Sequence, residues 1–304
     1  MKKCTVIINP TSGKGLNNKL ADRLNKVLEN YNYDAKVIIT EYSGHAEEIV
    51  QSVSDELVIS VGGDGTFYEV MNGNFKREKP VVLSHIPVGT TNDIGHMYGL
   101  DKDIITNLKL ILDGEIRNVD ICEINGRSFV YVACFGKFME IPYETPQDLK
   151  HKIGHLAYLI GGAKQLFKKT PKYDITYEID GMKHNGKYTF FIISNANRIA
   201  GINNFYNEVK LDDGKFEVMF CSLSSVFEIA KAFYTLKTSD ISCIQGVEIY
   251  KTNALKITFN DGIKPWCLDG EKYDAKTAHY EFKTSNKVKM LIPTKNISKL
   301  FIKK

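Results

Sequence analysis

The stretch Val61-Gly62-Gly63-Asp64-Gly65-Thr66 follows an apolar run, Leu57 to Val61, and leads into a helical pattern carrying Glu69, Asn72 and Gly73. Three glycines around one aspartate make a turn whose backbone can approach a ligand closely. The N–H groups that open the next helix then face an anion such as phosphate. Asp64 alone would repel phosphate; it makes sense there through a bridging Mg2+ and its waters. A tight turn with an N-capping aspartate satisfies the same residues, so this stretch by itself does not fix a ligand.

Two further strand ends carry comparable loops. Pro87-Val88-Gly89-Thr90-Thr91-Asn92-Asp93 offers small residues, hydroxyls and a carboxylate. Such groups belong at the rim where parallel sheets bind ligands. Asn9-Pro10-Thr11-Ser12-Gly13-Lys14-Gly15 follows the first strand. Its spacing departs from a Walker P-loop, because position 8 is Ile8 and Gly15 follows Lys14. Three such loops on one rim describe a nucleotide site without a Walker motif.

Around these loops, strand and helix patterns alternate. Thr5 to Asn9, Lys36 to Thr40, Leu57 to Val61 and Pro80 to Pro87 are the short runs of buried parallel strands. Helical stripes lie between them: Leu16, Leu20, Leu24, Val27 and Leu28; Ala46, Ile49, Val50 and Val53; then Ile104, Ile105, Leu108, Ile111 and Leu112. The expected fold is an α/β N-terminal domain with a parallel sheet covered by helices on both faces. From Val119 the pattern changes. Asp120 to Ile124, Asn125-Gly126 and Ser128 to Phe135 predict a hairpin with a type I′ turn. Strand runs at 174–179, 188–194, 216–222, 255–259 and 288–292 follow, with helices predicted over 153–167 and 226–236. The second part is therefore expected to be a mainly antiparallel β-sandwich. The predicted division is a nucleotide-binding domain at 1–122, which 293–304 rejoins, and a β-rich substrate domain at 123–292.

At 304 residues the chain is long for one domain, and 43% hydrophobic with 25% charged residues is an ordinary globular balance. The formal charge of +4 is too small to argue for nucleic acid as a partner, yet it suits ATP or an anionic membrane. No signal-peptide pattern and no span of about 18 apolar residues is present. The six cysteines are scattered without a Cys-x-x-Cys pair, as expected of reduced thiols. The expected location is cytoplasmic, peripheral to a membrane.

Gly62-Gly63-Asp64-Gly65-Thr66 with Glu69 and Asn72, then Pro87-x-Gly89-Thr90-x-Asn92-Asp93, and finally Asp269-Gly270-Glu271 occur in this order. Together they resemble the catalytic region of the diacylglycerol kinase and sphingosine kinase superfamily. Tyr143 to Pro146 and Gly154 to Tyr158 are similar to its soluble bacterial branch. The resemblance implies an ATP-dependent transfer of the γ-phosphate to a lipid hydroxyl, with diacylglycerol the leading acceptor. It implies ATP binding by Asn9, Pro10, Thr11, Ser12, Gly13, Gly63, Asp64, Gly65, Thr66, Glu69 and Thr90, with Thr40 near the adenosine. Asp64, Asp93 and Asp120 would organise the Mg2+ network. Glu271, within the Asp269-Gly270-Glu271 catalytic motif, would be the general base. Leu211-Asp212-Asp213-Gly214 resembles a structural Mg2+ loop, with Asp213 and the carbonyls of Lys210 and Lys215 as ligands. A plain hairpin turn accounts for that loop nearly as well.

The sequence departs from the family pattern at His96, where arginine is usual, at Lys137, and at Asn197 to Asn203, which has one glycine in place of a pair. Lys150, Lys152, Lys164, Lys168, Lys169 and Lys172 flank the 153–167 helix pattern and would suit a membrane-facing surface. A solvated helix face explains them as well, and His151 and His155 read as surface or capping residues. The partners implied are a lipid substrate met at the membrane surface, peripheral membrane contact and, as a candidate assembly, a homodimer. Two other functions compete: a NAD kinase-like enzyme, which shares the Gly-Gly-Asp-Gly turn, and a catalytically silent nucleotide- or lipid-binding regulator. The late Asp-Gly-Glu motif and the retained Asp64, Asp93 and Asp120 weigh against them.

Overall fold

The structure, a computed structural model, describes residues 1–13, 18–101, 103–136, 171–203, 205, 206, 208–238 and 241–303. Lys14, Gly15, Leu16 and Lys137 lie outside the described residues. So do the stretches at 143–146 and 154–158, His151, His155, the 153–167 helix pattern, and Lys150, Lys152, Lys164, Lys168 and Lys169. The chain forms two compact units, Met1–Val119 with Lys287–Lys304, and Asp120–Asn286.

In the first unit β1 (Lys2–Ile8), β2 (Tyr33–Ile39), β3 (Leu57–Gly62) and β4 (Val82–Pro87) form a parallel sheet in the order β2-β1-β3-β4. β3 is buried along its whole length, as its continuous apolar sequence requires, while β2 at the edge alternates with more exposed positions. Leu20, Leu24 and Leu28 put one buried stripe on α1 (Asn18–Asn30), and Ala46, Ile49 and Val50 do so on α2 (His45–Ser52). α2 packs on α3 (Asp64–Phe75), α1 on α5 (Ile104–Leu112). Gly73 permits the first crossing, since a Cβ there would lie 2.5 Å from the Glu47 carbonyl oxygen. A short helix, α4 (Asp93–Met97), follows β4 directly.

The chain enters the second unit within β5 (Glu115–Ile124). β5 forms the expected hairpin with β6 (Arg127–Phe129): Asn125 and Gly126 take φ 49° and 80°, as a type I′ turn demands. The predicted strand over 128–135 is in fact two. Val130 and Tyr131 leave the β6 ladder, and β7 (Val132–Gly136) starts in a different sheet. The predicted strand over 188–194 likewise divides into β9 (Met182–Tyr188), which pairs with β8 (Tyr173–Ile179), and β10 (Phe190–Ser194). The break falls at Thr189, whose Oγ1 bonds the carbonyls of Cys221 and Leu223.

The second unit continues through a small hairpin, β11 (Arg198–Ile199) and β12 (Ile202–Asn203), then β13 (Phe216–Cys221), α6 (Val226–Thr238), β14 (Val247–Thr252), β15 (Ala254–Phe259), β16 (Trp266–Leu268), β17 (Glu271–Tyr273) and β18 (His279–Ile292). One sheet places β15 between β8 and β18, all antiparallel; the other runs β14-β13-β10-β7-β16-β17. Their inner faces meet through rings: Tyr177 on Phe220, Phe135 on Phe259, Trp266 on Phe282. This is the expected antiparallel sandwich. β18 ends parallel to β4 at Met290 and Leu83, and α7 (Ile297–Leu300) closes the chain in the first unit.

Candidate active site

In the first unit the four parallel strands all end on one edge, so their following loops share it. The order β2-β1-β3-β4 reverses direction between β1 and β3, which is where a sheet of this class opens a crevice for a ligand. Asn9, leaving β1, donates from Nδ2 to Thr66 Oγ1 on α3 at 2.9 Å. Its Oδ1 accepts from the Thr11 amide and hydroxyl at 3.0 and 2.8 Å. Ser12 Oγ comes to 3.4 Å from Thr66 Oγ1. Asn9, Thr11, Ser12 and Thr66 are thus one network across the switch point. Pro10 is exposed and Gly13 half-buried in the same loop.

The Gly62-to-Thr66 loop sits tightly against its neighbours. A Cβ on Gly62 would lie 2.5 Å from the Thr66 side chain, and one on Gly89 would lie 2.7 Å from the Gly63 Cα. The glycines at 63 and 89 therefore let two loops touch backbone to backbone. Asn92 closes the second loop in the left-handed region, φ 53°, with Nδ2 donating to the Gly89 carbonyl at 2.9 Å. Gly65 and Thr90 remain exposed on this rim.

Asp64 and Asp93 are brought together. The Asp64 carboxylate accepts from the Asp93 and Ile94 amides at 3.3 and 3.4 Å, so it caps the start of α4. Asp93 itself is 1% exposed. Glu69 takes an unexpected position: its Oε1 accepts from the Gly44 amide at 2.9 Å and ties α3 to the loop after β2. Thr40, at the end of β2, is buried and its amide donates to the Ile8 carbonyl at 2.8 Å. His96 donates from Nδ1 to the Leu100 carbonyl at 3.1 Å. Neither Asn92 nor Gly89 stood out individually in the sequence, although asparagine is one of the few residue types that tolerate the left-handed region Asn92 occupies.

In the second unit Asp269 and Gly270 form a tight turn at φ 50° and 95°, joining β16 to β17, with Leu268 paired to Glu271. Asp269 is buried. Its carboxylate accepts the amides of Val130, Tyr131 and Val132 at 2.5, 3.0 and 3.0 Å. Burial raises its pKa to about 6 against the pull of those three amides. Its oxygens are committed to the β6–β7 break, so it positions the turn; it does not project as a reactant. Glu271, next but one, is exposed at the start of β17.

Asp120 begins this unit with its Oδ2 accepting the Gly214 amide at 2.5 Å. The expected metal loop lies beside it. There Asp213 Oδ1 accepts the Lys215 amide at 3.0 Å, and Asp213 Oδ2 meets the Lys251 ammonium at 2.7 Å. Lys251 also reaches Glu217 at 3.4 Å and the Glu208 carbonyl at 3.0 Å. The ammonium already supplies the positive charge that the Asp213 carboxylate would offer to a cation. Both oxygens of Asp213 are thus engaged by protein donors, and a cation held by Asp213 with the Lys210 and Lys215 carbonyls would have to displace Lys251. No group of three or more His, Cys, Asp or Glu suited to a metal occurs among the described residues.

Residues 3–124 match the family described as "Diacylglycerol kinase catalytic domain". A Staphylococcus epidermidis protein named "Diacylglycerol kinase" is 36% identical over 233 residues, 75% of this chain and 73% of its own length. A Bacillus subtilis protein of the same name is 30% identical over 276 residues, 89% of this chain and 90% of its own. A crystal structure of a diacylglycerol kinase from Bacillus anthracis strain Sterne superposes with a TM-score of 0.77 at 22% identity. That likeness covers 97% of this chain and 99% of the other, and it speaks for the fold.

Proposed function

The chain belongs to the diacylglycerol kinase family, and from that premise we propose that it transfers the γ-phosphoryl group of ATP to the free hydroxyl of diacylglycerol. The family membership carries this reading. The network of Asn9, Thr66 and Ser12 at the strand-order reversal supports it, because it gathers hydroxyls and small residues at the edge where sheets of this class bind ligands.

Asn9 to Gly13, Thr40, Gly63 to Thr66, Glu69 and Thr90 are the proposed ATP contacts. Glu69 would act by holding the Gly44 loop. The nucleotide would arrive as its Mg2+ complex, and Asp64, Asp93 and Asp120 are the acidic residues proposed for the Mg2+ network. Glu271 is the proposed general base: the lipid hydroxyl oxygen attacks the γ-phosphorus, its proton passes to the carboxylate, and ADP leaves. Asp269 positions Glu271 by fixing the turn between β16 and β17. No helix among the described residues is long and apolar enough to cross a membrane. The lipid would then be met at the membrane surface by peripheral contact.

The test is incubation with γ-labelled ATP, Mg2+ and a total lipid extract, followed by mass identification of the labelled product. Phosphatidic acid is expected. Label on another lipid would reassign the acceptor, and label on no lipid would remove the kinase reading. Asp64→Asn should weaken use of Mg2+·ATP; an unchanged Mg2+ requirement would take Asp64 out of the metal network.

A further inference from the structure

We propose that the exposed face of the Tyr42 ring is the platform on which the base of ATP stacks, and that this residue favours purine over pyrimidine triphosphates. The inference deepens the kinase reading and rests on its ATP site. Tyr42 is 53% exposed, yet it is held on two sides. One face of its ring lies on His45, with centroids 4.6 Å apart and planes 6° from parallel. Its hydroxyl donates to Glu48 Oε2 at 2.6 Å. His45 is fixed in turn, because its Nδ1 accepts the Glu41 amide at 3.1 Å. A ring held by one face and its hydroxyl leaves the other face open and already ordered, so stacking a flat base there costs little further entropy.

The frame of the loop sets this ring beside the proposed phosphate site. Thr66 and Glu69 stand three residues apart on α3 and share one side of it, with Cβ atoms about 5–6 Å apart. Thr66 Oγ1 accepts from Asn9 Nδ2 at 2.9 Å. Glu69 Oε1 accepts from the Gly44 amide at 2.9 Å and from the Ser43 hydroxyl at 3.5 Å. α3 therefore pins the loop after β1 and the loop after β2 side by side on one sheet edge. Gly44, at φ 90°, supplies the turn that lets α2 begin at His45. Charge decides which end of the nucleotide comes here. Glu48 is bonded to the phenol and Glu41 acts on it electrostatically, so this loop repels a triphosphate and not an uncharged base. The Glu48 bond also raises the phenol pKa above its ordinary value, which keeps the ring neutral.

Equilibrium binding of ATP, CTP and inorganic tripolyphosphate tests this. Tyr42→Ala should weaken ATP binding about tenfold or more, the loss expected for one base–aromatic stack. CTP should lose less, because a single ring covers less of the phenol. Tripolyphosphate has no base and should bind wild type and variant alike. Tyr42→Phe keeps the ring and should keep the ATP affinity. Tyr42→Trp should fluoresce with quenching by ATP and none by tripolyphosphate; the chain's other tryptophan, Trp266, is buried in the second unit. His45 acts through Tyr42, so His45→Ala should lower the ATP-to-CTP affinity ratio of the wild-type chain and leave that of Tyr42→Ala unchanged. Undiminished ATP binding by Tyr42→Ala would overturn the proposal. So would equal losses for ATP and tripolyphosphate, since Tyr42 would then only brace the loop. Absence of ATP binding by the wild type would overturn this proposal and the ATP site together. Bound ATP without transfer to any lipid would reject the kinase reading and leave the stacking result standing.

Discussion

Replacing Gly89 by alanine should damage this protein far more than replacing Gly63, although the two glycines touch. A Cβ on Gly89 would stand 2.7 Å from the Gly63 Cα and 3.0 Å from Asn92 Oδ1. Relaxed carbon–carbon contacts lie at about 3.5–4.0 Å, so the loops after β3 and β4 must part by about 1 Å. The obstacle is backbone, which cannot rotate away as the tip of a side chain can. Overpacking of this kind costs ~1–3 kcal/mol. A displacement of about 1 Å at a reacting group costs on the order of 10²-fold in turnover. A Cβ on Gly63 meets the Gly89 Cα at 3.5 Å, an ordinary contact, and its φ of −87° and ψ of −179° suit any residue. Gly63→Ala should therefore stay within about 0.5 kcal/mol of wild-type stability, so any ATP affinity it loses reports contact with the ligand. Urea unfolding of both variants, with kcat and KM for ATP, reads the two effects separately. A Gly89→Ala protein as stable and active as wild type would refute the loop-contact reasoning, as would equal destabilisation by the two substitutions.

His85 is buried with Nδ1 on Ser60 Oγ at 2.8 Å, and burial lowers its pKa to about 3. Its neutral form is the folded one, so stability is full above the ordinary histidine range and falls with acid by about 1.4 kcal/mol per pH unit. Urea midpoints measured from pH 7 down to 4 should show this slope, and His85→Gln should flatten it. Asp269→Ala should cost about 3 kcal/mol or more, because three amides at the β6–β7 break lose their acceptor; thermal unfolding checks it. With its pKa raised to about 6, Asp269 contributes most stability below the ordinary carboxylate range and less as pH climbs through 6. Asp269→Asn should lack that component of the pH profile. Ala200→Gly should stabilise the chain by about 1 kcal/mol, since Ala200 holds φ 51° in the β11–β12 turn where glycine carries no Cβ penalty; a matched or lower unfolding midpoint would contradict this.

The parallel half of the fold was legible because each element reports on itself. Leu57 to Val61 is apolar without interruption, and Leu20, Leu24 and Leu28 repeat at helical spacing, so period alone separated strand from helix. The end of β3 was legible too, because the glycines at 62 and 63 mark a place where backbone must come close; the matching role of Gly89 appeared only in the fold. What escaped was decided by distant partners. No local feature of Ser128 to Phe135 announces a break, because the acceptor that breaks it is Asp269, more than a hundred residues on. Met182 to Lys187 is too polar to read as a strand, and pairing with β8 makes it one. Asp269 was read with Glu271 through the Asp-Gly-Glu motif that resembles the family's; burial commits one carboxylate to the β6–β7 break and leaves the other exposed. The partner of Asp213 was hidden for a similar reason, since Lys251 lies thirty-eight residues beyond it and only the fold brings its ammonium to that carboxylate.

Single-turnover transfer from γ-labelled ATP to diacylglycerol, measured for wild type and Glu271→Gln alongside ATP binding, reaches the chemistry directly. Both proteins should bind ATP alike, and the variant should lose on the order of 10²–10⁴-fold in transfer. Transfer by Glu271→Gln at the wild-type rate would show that the proton leaves by another route.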